Sequence, residues 1–210
     1  MSKVTTKTEV RLSFVNLITP RKQNEESESE TYSTAILIPK SDVDTVASVS
    51  AAIKEALAEG VSKKWGGKTP GNLKNPMRDG DAERPDDDTY KGMMFLNAKG
   101  PRGGQEKPIL LDKNGRETDS QAIIFSGVYA RVSLQFYPFD RNGNRGVAAG
   151  VSSVLSGEHG EPLGSVVTAD SARSEFGVST PASSARDEFT VPAKNIADST
   201  SNAEDDPWAS

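Results

Sequence analysis

The sequence predicts a mainly β domain, a small barrel or sandwich with one helix set among its strands, followed by an acidic tail that does not fold. Three observations carry this expectation. Short apolar stretches recur along the first three quarters of the chain, separated by turns rich in Gly, Pro and Asn. One segment alone, 42–64, changes to a three- and four-residue spacing. From about residue 165 the apolar pattern fails, and Ser, Thr, Ala and Pro dominate.

Residues 10–18, "VRLSFVNLI", read as a strand with Val10, Leu12, Phe14, Asn16 and Ile18 on one side. A polar loop containing "EESESE" follows, and "YSTAILIP" reads as a second strand that Pro39 ends. Over 42–64, Val43, Val46, Val49, Ile53, Leu57 and Val61 share one helical face. Ser41 or Asp42 suits its N-cap, and Gly60 marks fraying near its end. Residues 65–90 are dense in Gly, Pro, Asn and Asp and read as a long irregular loop. "GMMFLNA", "KPILLD", "AIIFSG" and "VYARVSLQFYPF" are strand-like, and Asn142-Gly143 signals a hairpin to the return strand "GVAAGVSSVLS". Five or more short strands with one inserted helix suit an OB-fold-like five-stranded Greek-key barrel, although periodicity alone does not select it.

Composition removes several chemistries. There is no cysteine, which excludes disulfides and thiolate metal sites, and the single histidine, His159, leaves no basis for a His triad or a multi-His zinc site. No cofactor is expected. No apolar run approaches the ~20 residues of a membrane span, and the N-terminus lacks a signal-peptide stretch, so an intracellular soluble protein is expected. The net charge of −5 combines unlike parts: residues 1–148 carry 22 Lys/Arg against 20 Asp/Glu, and residues 149–210 carry 3 against 10. Overall acidity therefore does not argue against a polyanionic partner, but any such site must be a local patch.

Two stretches supply such a patch. Alternation in 128–137 puts Val128, Ala130, Val132, Leu134 and Phe136 in the core and Tyr129, Arg131, Ser133, Gln135 and Tyr137 on the other face. Aromatic rings stack on bases, and Arg adds charge and a planar face. The second stretch, "KKWGGKTPGNLKNPMR", gathers Lys63, Lys64, Lys68, Lys74 and Arg78 around Trp65 with no acid among them. Cations that meet phosphates beside a stacking ring are the chemistry of single-stranded nucleic-acid binding. Trp65 has an alternative role, closing the preceding helix against the core. The cluster "DGDAERPDDD" invites a metal-dependent nuclease built on Asp79, Asp81 and Asp86–Asp88, but it lacks the closing glutamate of a calcium loop and reads better as a turn-rich acidic loop. "GPRGGQEK" lacks the Gly-Lys-Ser/Thr ending of a P-loop. No nucleophile motif is present and no enzyme is expected. An RNA-binding or other polyanion-binding module is the main alternative.

"NPMRDGD", "FLNAKGPRGGQEKPILLD", "IIFSGVYARVSLQFYPFDRNGNRGVAAGVSSV" and "GEPLG", in this order over roughly residues 8–165, resemble the small phage-encoded single-stranded DNA-binding proteins, a family once listed as of unknown function. The resemblance implies an OB-fold, sequence-tolerant binding of single-stranded DNA, and a place in phage DNA replication, recombination or repair in the cytoplasm of the infected host cell. A homodimer is compatible with it. Residues 1–164 are then the binding domain and 165–210 the disordered tail. That tail holds a weak repeat, "SARSEF" and "SARDEF", and ends in "EDDPWAS". The resemblance further implies that Glu204, Asp205, Asp206 and Trp208 recruit replication or recombination proteins. Trp208 is not terminal, since Ala209 and Ser210 follow it.

Overall fold

The computed structural model describes residues 2–22, 25, 29–141 and 143–164. The elements in chain order are β1 (Ser2–Thr5), β2 (Val10–Arg21), β3 (Thr31–Pro39), α1 (Val43–Lys63), β4 (Leu73–Lys74), β5 (Met77–Asp79), α2 (Gly80–Glu83), a 3-10 turn (Asp88–Tyr90), β6 (Met93–Lys99), α3 (Pro101–Gly104), β7 (Ile109–Leu111), β8 (Tyr129–Arg141) and β9 (Asn144–Ser156). The expected disordered tail, with Glu204, Asp205, Asp206 and Trp208, lies outside the described residues.

Five of these strands close on themselves. β2 pairs with β3, β3 with β6, β6 with β9, β9 with β8, and β8 returns to β2. All pairs are antiparallel except β6–β9. This is the five-stranded OB-fold barrel, closed by two short ladders, Val10–Arg11 with Tyr129–Ala130 and Ala98–Lys99 with Ala149–Gly150. β1 extends the sheet along β8, and the short β4, β5 and β7 fill in beside β9 and β6.

Alternation decides which side chains fill the barrel. Val10 and Leu12, Ile36 and Ile38, Leu96 and Ala98, the Ala130-to-Phe136 row and Val147, Ala149 and Val151 form one buried cluster. α1 adds Val49, Ala52, Ile53 and Ala56 to the same cluster and packs across β8, β1 and β9. It starts where expected: the Asp42 carboxylate accepts the Thr45 N–H at 3.1 Å. The Thr8 hydroxyl donates to the same carboxylate and holds it below the usual carboxylate range. The hairpin also closes as expected, with Arg141 opposite Asn144 and Gly143 at φ +79°, a conformation that Gly adopts without strain. No helix among the described residues is long and apolar enough to cross a membrane.

Three expectations need correction. Phe14 does not continue the inward row of Val10 and Leu12: its backbone turns to φ +48°, the β2–β3 register shifts between Ser13 and Asn16, and burial resumes at Leu17. Residues 65–90 are not one irregular loop but contain β4, β5, α2 and the 3-10 turn. "AIIFSG" is not a strand; it is a run of turns that buries Ile124 to 2% exposure.

Candidate nucleic-acid interface

The candidate site is the outer face of β6, β9 and β8. Lys99 on β6 pairs with Gly150 on β9, which pairs with Gln135 on β8. One step along, Tyr137 on β8 faces Ala148. Gly150 and Ala148 are too small to rise above the sheet, so the Tyr137 ring stands over a low floor. Tyr137 borders two adjoining clefts. The larger, about 950 Å3, is lined by Lys74, Arg78, Asn97, Lys99 and Phe139 among others. The smaller, about 330 Å3, is lined by Arg102, Gly103, Gln135, Arg141 and Ser152 among others.

The charge in these clefts is only partly spent on internal pairs. Arg78 pairs with Glu83 at 3.0 Å, and its guanidinium lies 4.4 Å from the Phe95 ring centre. Arg102 pairs with Glu106 at 3.0 Å. Lys74, Lys99 and Arg141 have no ion-pair partner among the described residues. Two acids, Asp79 and Glu83, also line the larger cleft; Glu83 is taken by Arg78, and Lys40 donates to Asp79 at 2.6 Å and to Asp81 at 2.7 Å. Those hydrogen bonds keep both carboxyls below the usual carboxylate range and raise the Lys40 ammonium. With Asp79 and Asp81 occupied in this way, the nuclease alternative loses two of its ligands. Among the described residues no group of three or more His, Asp or Glu could hold a metal ion.

The structure brings together only some of the residues singled out in the sequence. Tyr137, Lys74 and Arg78 meet in the larger cleft. Tyr129 shares their strand and face but lies eight residues away, roughly 27 Å along a strand. There Gly160 sits against the ring, where an added Cβ would come within 2.8 Å of Tyr129 Cε2, and the Arg11 guanidinium lies 5.7 Å from the ring centre. Arg131 is exposed but turned toward β1, with Nε donating to the Thr6 carbonyl at 3.1 Å. Lys63, Lys64 and Lys68 are exposed at and beyond the end of α1 and line neither cleft; Lys63 pairs with Glu59 at 3.0 Å.

Trp65 takes the second of its two roles. It is 7% exposed, wedged against Gly60 and Pro138, and its Nε1 donates to the Phe139 carbonyl at 3.4 Å. No ring face is left for a base. Lys99, Arg102 and Arg141 were not singled out in the sequence. Arg141 was within reach of the same alternation, continued four residues past Tyr137. Lys99 follows from Asn97 in β6 by the same rule.

A family model described as "Enterobacter phage Enc34, ssDNA-binding protein" matches residues 2–190. The chain belongs to this family. "Putative protein p50" of Acyrthosiphon pisum secondary endosymbiont phage 1 is 30% identical over 155 residues, covering 69% of this chain and 78% of that protein. Among solved structures, the single-stranded DNA-binding protein from bacteriophage Enc34 in complex with ssDNA superposes with a TM-score of 0.59 at 25% identity, over 77% of this chain and 88% of that one. gp2.5, a single-stranded DNA-binding protein encoded by bacteriophage T7, superposes with a TM-score of 0.54 at 16% identity, over 80% of this chain and 98% of that one, and supports the fold alone. The family and both solved structures are described as single-stranded DNA-binding proteins.

Proposed function

We propose that this protein binds single-stranded DNA across the outer face of β6, β9 and β8, with little preference for base. The observation that carries the reading is the Tyr137 ring standing between two clefts whose cations Lys74, Lys99 and Arg141 have no internal ion partner. A base stacks on the ring while neighbouring phosphates meet the cations on either side. Every base offers a π-face, so the contact is tolerant of sequence. A duplex hides its base faces and forgoes the stack. The Enc34 relative, described in complex with ssDNA, supports the reading.

The test is a fluorescence titration with single-stranded and duplex oligonucleotides at several salt concentrations. If Lys74, Arg78, Lys99, Arg102 and Arg141 each neutralise one phosphate, log affinity for the single strand falls against log salt with a slope of about −3.5, at ~0.7 per phosphate. Equal affinity for duplex and single strand contradicts the reading. An RNA oligomer of the same length in the same assay separates DNA binding from general polyanion binding.

The finer role we propose is in DNA replication, recombination or repair in the cytoplasm of the infected host cell. In this reading Trp208 anchors a replication or recombination protein while Glu204, Asp205 and Asp206 meet its basic rim. Removing residues 198–210 then abolishes recruitment of that partner and leaves DNA binding in place. Loss of DNA binding on truncation contradicts that division of labour.

A further inference from the structure

We propose that Phe14 is a second base-stacking platform, standing across the barrel face from Tyr137 and held outward by its left-handed backbone. The inference rests on the single-stranded DNA reading above and adds a residue to it. Alternation along β2 sends Phe14 inward with Val10 and Leu12. Instead its φ is +48°, and the ring is 58% exposed. A positive φ is an outlier for a bulky residue, and an exposed phenyl ring forgoes the burial its apolar area favours. Such strain persists where the surroundings impose it, and it clusters at functional positions.

The surroundings impose it here. The Thr34 hydroxyl donates to the Ser13 carbonyl at 3.1 Å on the near side of Phe14, and the peptide after it is held at both ends: Asn16 Nδ2 donates to the Phe14 carbonyl at 3.2 Å and the Val15 N–H donates to Ser126 Oγ at 3.0 Å. The ring belongs to neither buried cluster. What lies over it is a cation: the Arg84 guanidinium, 5.6 Å from the ring centre. Arg84 is itself held in place, 4.6 Å from the Tyr90 ring centre and 5.7 Å from that of Phe95. On another side the ring borders a cleft of about 390 Å3 lined by Asn16, Thr19, Arg21 and Gln121 among others. An exposed ring, a fixed guanidinium beside it and polar groups around a cleft are what a nucleotide needs: stacking, a phosphate contact and partners for base edges.

The placement joins this site to the first. Ser13, next to Phe14, pairs with Ala35 on β3, and Ala35 pairs with Asn97, which lines the Tyr137 cleft. β2 and β8 are separated on this face by β3, β6 and β9. Followed round the barrel over β3, β6 and β9, the path between the two rings is four strand intervals of ~4.8 Å, roughly 19 Å along the surface, a span that a few nucleotides cover.

The test titrates oligothymidylates of increasing length against the wild type, Phe14→Gly, Phe14→Trp and Tyr137→Ala, with a melting temperature for each protein. Glycine adopts the φ of Phe14 freely, so Phe14→Gly should melt at or above the wild-type temperature. It should bind long oligonucleotides roughly five- to hundredfold more weakly, the usual loss of one base–aromatic stack. It should bind the shortest oligonucleotides, which reach only Tyr137, as tightly as the wild type, so its affinity levels off at a shorter length. Phe14→Trp should keep the wild-type length dependence. Wild-type affinity of Phe14→Gly at every length, or an equal loss at every length, overturns the inference. If the wild type and Tyr137→Ala behave as expected while Phe14→Gly is silent, only this inference fails. If the wild type does not bind single strands at all, the functional reading fails with it.

Discussion

The two ends of β8 present the same chemistry and different surroundings. Tyr129 and Tyr137 both point outward from one strand. At the Tyr137 end the neighbouring floor residues are Ala148 and Gly150, and unpaired cations flank the ring. At the Tyr129 end the chain returns after β9: the Tyr129 N–H donates to the Glu158 carbonyl, the Gly157 N–H donates to the Tyr129 carbonyl, and Gly160 lies against the ring. At Gly160 an added Cβ would come within 2.1 Å of the Gly127 carbonyl oxygen, so only glycine lets the chain pass this close. Arg11 then closes over the ring and donates to the Glu161 carbonyl at 2.8 Å. Alternation assigns a side chain to a face of the sheet; what later crosses that face decides whether it can meet a ligand.

The largest expected effect concerns how the open end is supported from beneath. Trp65 is buried against Pro138 and Gly60, so Trp65→Ala should cost about 3–5 kcal/mol of stability. The affinity of the folded fraction should hold, as measured by denaturant unfolding and titration on one sample. A stable variant that no longer binds DNA would return Trp65 to the interface. Next comes the contrast itself. Tyr137→Ala should lose about 1–3 kcal/mol of DNA affinity and little stability. Tyr129→Ala should do the reverse, with a stability loss of about 1 kcal/mol that is ordinary for a half-buried ring.

A smaller effect separates the cations. Lys74→Ala, Lys99→Ala and Arg141→Ala should each reduce the salt slope of binding by about 0.7. Lys68→Ala and Arg131→Ala should leave it unchanged, because their side chains line neither cleft. The smallest effect concerns pH. Lys40 lowers the carboxyl pKa values of Asp79 and Asp81 in the folded protein. The stability this contributes is fully present above their unfolded value, near pH 4, and is lost as pH falls through the folded value. The stability difference between wild type and Lys40→Met should therefore narrow as pH drops from about 6 to 3. A difference that widens on acidification would contradict the pairing. Both carboxyls are solvent-accessible, so the change should be modest and sensitive to salt.

The elements legible in the sequence were those with a sustained period. α1 repeats its apolar spacing over 21 residues. β8 alternates along nearly all of its 13 residues, and β9 alternates from Val147 to Ser152 before its register slips. The elements missed were those too short for a period to show: β4 has 2 residues, β5 has 3 and α2 has 4. "AIIFSG" misled because a brief apolar run reads the same whether it pairs or turns; Ile124 is buried from a turn. Phe14 misled because a single positive φ reverses a side chain without changing the letters around it. In the site, the ring and two of its cations were legible. The aromatic–basic stretch 63–78 was not one surface, since Trp65 turns inward while Lys74 and Arg78 go on to the cleft wall.

The most direct test measures DNA affinity and melting temperature together for Tyr137→Ala and Tyr129→Ala against the same single-stranded oligonucleotide at low and moderate salt. The account predicts a crossed result: Tyr137→Ala melts close to the wild type and binds roughly five- to hundredfold more weakly, whereas Tyr129→Ala binds as the wild type does and melts earlier. If Tyr129→Ala loses affinity while Tyr137→Ala keeps it, the strand lies over the other end of β8 and the proposed interface is wrong.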